Sequence, residues 1–244
     1  MTGDGALDRC RLQLLRPHEI AERLRERSVV YLPIGTLEWH AEHLPVGLDA
    51  LNAEAICLRA AVHGGGVVGP TLYYGTGGSH GSYPWTITMP SDREITALLA
   101  RTLSRLNDLG VLLAVVFTGH FAREQVACVR QVAHDWNERG YRMRALGLSV
   151  DQAAGLAITP DHAGRFETTL LRAHMPDRVD LGRIPPMRPD EAGEDPWGQQ
   201  RHAPGHSLWG VVGPDPRDVD AADGPTILDG IVRWLLAEVD GAGG

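Results

Sequence analysis

The chain has 244 residues, 43% of them hydrophobic and 22% charged, a balance that suits a globular protein with a sizeable core. Its formal net charge is −8 and it has no basic run, which argues against the clustered positive surface that nucleic-acid binding needs, while leaving room for a local basic pocket. All 23 basic residues are arginine, so Schiff-base chemistry and a lysine general base are excluded too. The N-terminus carries charges throughout and no apolar h-region, and no stretch approaches a membrane span; a cytoplasmic protein is expected. Cys10, Cys57 and Cys128 are odd in number and form no CxxC pair, so neither a disulfide framework nor a thiolate zinc site is signalled. Cys57 and Cys128 read as buried small hydrophobes.

The first element is residues 28–35, a nearly continuous apolar run of the kind buried on both faces of a sheet. Residues 50–62 are helix-like and end at Gly64-Gly65-Gly66. Residues 67–74 read as a second strand interrupted by Pro70. A helix then opens with Ser91 as N-cap and Glu94 completing a capping box, with Ile95, Leu98, Leu99, Leu103 and Leu106 at helical spacing and Gly110 closing it. Residues 111–118 form another apolar strand, and residues 122–139 a helix burying Val126, Val129, Ala133 and Trp136. Residues 142–149 make a further strand. Residues 183–223, rich in Pro, Gly and Asp, read as long loops, with an active-site lid as one use for them. Residues 226–239 form a last amphipathic helix with Ile227, Ile231, Trp234 and Leu235 inward. Alternating strands and helices predict one α/β domain over 1–244 with a mainly parallel sheet.

Chemistry concentrates at the ends of these strands, where open α/β sheets bind ligands. Glu38, His40, His43 and Asp49 lie within twelve residues directly after the first strand. Glu38 and His40 are two apart and point the same way on an extended strand end. Two carboxylates and two imidazoles suit a divalent ion such as zinc, manganese or iron. Gly119 lets the chain turn sharply after the 111–118 strand, and His120 then projects over the same sheet edge. Glu124 is four residues on, within reach of His120 on a helical turn, and equally at home as a solvated acid at a helix start. In Asp161-His162-Ala163-Gly164-Arg165-Phe166-Glu167-Thr168, His162 is a candidate proton shuttle and Glu167 a candidate ligand at the start of a helix. The Gly-rich stretch from Tyr74 to Trp85, with His80, is no phosphate loop. It reads either as a binding loop or subunit contact, or as ordinary surface.

Glu38-x-His40-x-x-His43-Leu44-Pro45-x-x-x-Asp49 resembles the ExHGxHLPxxTD signature of the creatininase family, the creatinine amidohydrolases. The resemblance continues through Gly119-His120 (the family's NGH), His162-Ala163-Gly164-x-x-Glu167-Thr168 (its HAGxxET), Gly210-Val211-Val212-Gly213, and Tyr74-Gly75 with His80, in order along most of the chain. It implies a three-layer α/β/α sandwich, a dinuclear centre of two divalent ions (Zn, Mn or Fe), and a homo-oligomer, commonly a hexamer. Glu38 and His120 would hold one ion and His40 the other, with Asp49 bridging. His162 would handle protons. In creatininase a glutamate two residues after the NGH histidine is the fifth ligand; that place is Ala122 here, so Glu167 takes the role, with Glu124 as fallback.

Around these positions the pattern departs: Trp39 stands for the usual glutamine, Ala41 for Gly, Glu42 for Pro, Leu48 for Thr and Thr118 for Asn. The expectation is a family member with altered substrate choice, hydrolysing a non-peptide C–N bond of a small molecule, a cyclic amide or formamide. His43 and Glu42 would orient ligands. Trp39, Trp85 and His80 would line the substrate site, and loops around Trp39, Trp85 and Trp197 would set specificity. The alternatives are a peptidase-like or C–C hydrolase of a biosynthetic pathway, or a non-catalytic subunit.

Overall fold

The computed structural model describes residues 3–243. Residues 1, 2 and 244, the ends of the expected domain, lie outside them. Helices α1 (Gly3–Asp8) and α2 (Pro17–Glu26) precede β1 (Val29–Ile34). Then follow α3 (Leu48–Gly64), β2 (Val67–Val68), α4 (Arg93–Asp108), β3 (Leu113–Thr118), α5 (Arg123–Glu138), β4 (Arg144–Ser149), α6 (Arg165–Arg172) and α7 (Asp223–Ala242).

The strands form one parallel sheet in the order β2-β1-β3-β4. β1 and β3 occupy its centre and are buried along their whole length, which is why both read as unbroken apolar runs rather than alternating ones. Successive side chains of each still part to opposite faces. Tyr31, Val115 and Phe117 pack with α3, α6 and α7, while Val30, Leu32, Ala114 and Val116 pack with α4 and α5. Helices thus cover both faces, giving the three-layer α/β/α sandwich. Cys10, Cys57 and Cys128 are buried and unpaired. Among the described residues, no helix is long and apolar enough to cross a membrane.

Ile34 pairs with Thr118, so the two central strands end level. Gly35 and Gly119 follow, and the start of α3 lies directly on them. A Cβ on Gly35 would come within 2.2 Å of the Ala50 nitrogen, and one on Gly119 within 2.0 Å of the Asp49 carbonyl oxygen. Gly119 is therefore required for this close approach more than for a sharp turn. The two glycines seat Asp49, in the first turn of α3, over the ends of both strands.

Several expected details differ. Only Val67 and Val68 of the 67–74 segment are regular strand. Pro70 has no N–H to give the ladder, yet the chain stays alongside β1, with Leu72 donating to Pro33 and accepting from Gly35. Helix α4 begins at Arg93, and Ser91 accepts from the Arg93 N–H while its hydroxyl donates to Glu94, so the reciprocal capping box does not form. Leu98 is exposed. In α5, Val126 is half-buried and Gln125 takes the inward place, accepting from the Thr76 N–H at 2.9 Å and donating to Thr118 Oγ1 at 3.4 Å. Trp234 is likewise half-buried. Residues 183–222 hold only short 3-10 turns between irregular stretches, as the loop reading expects, and bury Glu191, Arg201, His206, Leu208 and Val211; Asp223 already belongs to α7.

Candidate metal centre

Residues 35–47 leave β1 and loop over the sheet edge. The expectation of Glu38 and His40 on an extended strand end does not hold, since both lie beyond β1 in irregular chain. They converge nonetheless. Glu38 is anchored by its own N–H to the Val46 carbonyl, and Leu37 pairs with Ile87. His40 Nδ1–H donates to the Glu38 carbonyl at 2.9 Å, which turns Nε2 toward the carboxylates, as a metal ligand once its proton is displaced. That nitrogen sits 3.2 Å from Asp49 Oδ1 and 3.5 Å from Glu167 Oε2. On the other side, His120 Nδ1 lies 3.2 Å from Asp49 Oδ2 and 3.0 Å from Glu38 Oε2. The two oxygens of Asp49 thus face two different imidazoles.

These groups are buried, yet Glu38 Oε2, His40 Nε2 and Asp49 Oδ2 make no hydrogen bond, despite nitrogen–oxygen separations of 3.0–3.5 Å. Orphaned buried polar atoms are costly. Donor atoms that crowd together without aiming hydrogens at one another are arranged as around a common centre. The donor set is nitrogen and carboxylate oxygen, suited to a borderline or hard divalent ion, and the pinned ring nitrogen of His40 is the usual support for a metal-binding histidine. The residues present therefore fit the metal centre that the sequence suggests.

The titration of the cluster says the same. Burial pulls His40 down, but Asp49 and Glu167 outweigh it and raise its pKa to about 10. His120 is raised well above the usual range, its burial outweighed by Glu38 and Asp49. Burial pushes Asp49 up, but His40 and His120 hold it at about 2, and Glu38 is lowered well below its usual value against burial by His162 and His120. Glu167 is raised well above a normal carboxyl by burial, which its proximity to His40 only partly offsets. Without an ion, protonated His40 and His120 face the carboxylates of Glu38 and Asp49, and burial keeps a proton on Glu167.

Helix α6 brings in the third segment. Asp161 is buried and accepts from the N–H groups of Phe166 (2.9 Å), Gly164 (3.2 Å) and Glu167 (3.3 Å), fixing the helix start. Glu167 Oε2 accepts from the Ala163 N–H at 2.6 Å. His162 forms a two-way backbone bridge with Val212, and its Nε2–H donates to the Trp39 carbonyl at 2.9 Å. The free Nδ1 lies 4.0 Å from Glu38 Oε2. Burial lowers His162 to about 3, with Glu38 opposing and His40 and His80 adding to the shift, so it is a neutral imidazole. Ala41 and Ala163, each beside a cluster histidine, hold φ values of 57° and 53°, a left-handed conformation that costs a residue with a side chain.

The remaining sequence candidates divide. His80 joins the cluster, with Nδ1 3.2 Å from Glu38 Oε1 and its ring stacked on His162 at 4.0 Å. His43 is buried one layer out, bonded through Nε2 to Thr168 Oγ1 at 2.9 Å and held neutral, with a pKa lowered to about 4 by burial and by His40. Trp39 is buried against Trp209 and donates through Nε1–H to the Trp209 carbonyl at 3.2 Å. Trp85 is 79% exposed and outside the cluster. Glu124 is exposed on the first turn of α5, 3.4 Å from the Gly78 nitrogen and apart from the cluster. Glu42 lines a separate pocket of about 590 Å³ beside Trp39 and Trp209. The cluster itself opens through a pocket of about 490 Å³, walled by Gly78, His80, Phe121, His162 and Val212. Tyr83, whose hydroxyl is 2.7 Å from His202 Nδ1, Trp209 and Gly210 complete its surround. Tyr83 lies in the Gly-rich stretch and Gly210 in a segment of the resemblance, but His202 and Trp209 carry no sequence signal, because their partners lie over a hundred residues away.

The family model for creatinine amidohydrolase (creatininase) matches residues 13–239. The chain belongs to the creatininase family. It is 28% identical to a creatinine amidohydrolase of Pseudomonas putida over 179 residues, 64% of this chain and 68% of that protein. It is 26% identical to a mycofactocin precursor peptide peptidase of Mycobacterium ulcerans (strain Agy99) over 172 residues, 65% of each. The alignments thus span about two thirds of these relatives. A solved mutant creatininase of Zn-Zn type superposes with a TM-score of 0.73 at 22% identity, covering 94% of this chain and 96% of that one, which establishes the shared fold. In this creatininase-family chain, Ala122 occupies a wall of the pocket and Glu167 faces His40.

Proposed function

We propose that the chain, acting as one domain, is a metal-dependent amidohydrolase that cleaves the C–N bond of a small cyclic amide or formamide. The observation that carries this reading is the set of buried, unpartnered donor atoms of Glu38, His40 and Asp49, ringed by His120 and Glu167. Glu38 and His120 would hold one divalent ion, His40 and Glu167 a second, with Asp49 between them; zinc, manganese and iron all suit such ligands. Bound there, divalent ions would lower the pKa of a water toward neutrality and polarise a substrate carbonyl.

The chain's own residues supply the rest. His162, pinned through Nε2–H, presents its Nδ1 lone pair and would take a proton there from the attacking water and return it to the leaving nitrogen. Trp39 and the 196–213 loop keep its ring in place through the Trp39 carbonyl and the Val212 bridge. The pocket walls carry no arginine, which favours a neutral substrate group at the reacting centre. Assembly as a hexamer and a cytoplasmic location accompany the reading as family-based proposals.

The test is elemental analysis of the purified protein with a hydrolysis screen of cyclic amides and formamides. About two metals per chain and turnover are expected, with both lost in Asp49→Ala and His120→Ala. Wild-type metal content and turnover in those variants would sink the model. The match to a mycofactocin precursor peptide peptidase favours one second reading, peptide-bond cleavage; turnover of peptides and not of small amides would establish it. A folded protein that holds no metal after metal supplementation would point to a non-catalytic subunit.

A further inference from the structure

Beyond the two-ion arrangement, and resting on it, Glu38 has an oxygen to spare. Its Oε2 faces His120 at 3.0 Å, while Oε1 turns the other way and lies 3.2 Å from His80 Nδ1. His80 is held as a metal-binding histidine is held: Nε2 lies 3.1 Å from the Gly210 carbonyl, which can only accept, so the proton sits there and the Nδ1 lone pair faces Glu38, with the Ser79 hydroxyl the more distant neighbour at 3.4 Å. His162 repeats the device through the Trp39 carbonyl, with its Nδ1 4.0 Å from Glu38 Oε2. The two rings are stacked at 4.0 Å and 19°, so both lone pairs are delivered to the same side. Donor atoms of Glu38, His80 and His162 all lie within 4.8 Å of one another. Ligands about 2.0–2.2 Å from a zinc ion stand roughly 3–4 Å apart, and two histidines with one glutamate make a three-ligand set that leaves a position open.

We propose that Glu38, His80 and His162 form a third divalent-cation site, of zinc type, whose occupation inhibits the enzyme. Glu38 then bridges, Oε2 toward the His120 side and Oε1 toward His80. An ion at this site consumes the lone pair of His162 Nδ1, the atom that would carry protons in catalysis. It also stands in the 490 Å³ opening that His80 and His162 wall. Three ligands bind more weakly than the shared-carboxylate centre beneath, so the site fills only at higher free zinc.

The experiment loads the full-length protein with two equivalents of zinc and dialyses it against rising free Zn²⁺, measuring zinc per chain and hydrolysis of an amide the enzyme turns over. A third equivalent should bind, with activity falling over the same range. In His80→Ala and His80→Gln, the third equivalent should weaken by more than the roughly 10- to 100-fold that loss of a ligand's supporting partner alone costs, and whatever activity each variant retains should stay level across that range. Cobalt substitution gives an independent readout: the third equivalent of Co²⁺ should add visible absorption in the wild type and none in the variants. Saturation at two ions in the wild type, or a third ion held equally well by both His80 variants, overturns the inference and leaves the two-ion reading standing. Fewer than two ions overturns both.

Discussion

His40 shows how one side chain is prepared for its task. Its Nδ1–H is committed to the Glu38 carbonyl, two residues back, so the chain that delivers the histidine also selects its tautomer. Glu167 is prepared differently. Its Oε2 accepts from the Ala163 N–H and faces His40 at 3.5 Å, while Glu124 stands exposed on α5. Glu167→Gln is therefore expected to reduce bound metal from two ions to one per chain, with Glu124→Gln retaining both; elemental analysis of the two variants decides between them. His162 has a different signature. If it carries protons, His162→Ala lowers kcat by about 10²–10⁴-fold while leaving two metals bound. Loss of metal in step with activity would make it a ligand of the working centre instead.

At the scale of elements, the site depends on how α3 meets the sheet. Gly35 and Gly119 end the two central strands level, and the absence of side chains there lets Asp49 descend onto the cluster. Gly119→Ala puts a Cβ 2.0 Å from the Asp49 carbonyl oxygen, so α3 must lift. Overpacking of this kind costs about 1–3 kcal/mol, and metal content should fall with stability. Gly140→Ala makes the control. Its φ of 68° strains an alanine, but no atom lies within 4 Å of the new Cβ. It should lower the melting temperature and leave bound metal unchanged, as calorimetry with metal analysis would report. Much of this layer was legible in advance: β1 and β3 announce themselves by unbroken apolar runs, and Glu38, His40, Asp49 and His120 by their places just beyond those runs. The 67–74 strand misled because β-rich composition outlasts the ladder that Pro70 breaks. The roof was illegible. Gly210 reaches His80 across 130 positions, Trp209 meets Trp39 across 170 and His202 meets Tyr83 across 119, and no local periodicity encodes such a contact.

For the whole molecule, the buried cluster couples metal binding to stability. In the metal-free protein His40 titrates near 10, above the value of about 6.5 it has when unfolded, and Glu167 titrates well above an unfolded carboxyl. Both raised groups make the native state hold more protons than the unfolded chain, so stability falls as pH rises. The His40 contribution is complete below about pH 6.5 and is lost as pH climbs through about 10. Each proton so held is worth about 1.4 kcal/mol per pH unit across its window. Asp49, lowered to about 2, has the opposite sign, but its window lies below pH 4 and does not overlap. Divalent ions at the proposed site would replace those protons, and binding to the native state alone would add about 2.7 kcal/mol when free metal is 100 times its Kd. Chelator-stripped protein should therefore lose stability steadily between pH 6.5 and 9 in urea titrations, while metal-loaded protein should lose far less. A metal-free protein whose stability is flat over that range would show that His40 and Glu167 hold no extra protons, and that the cluster is not a site built to receive positive charge.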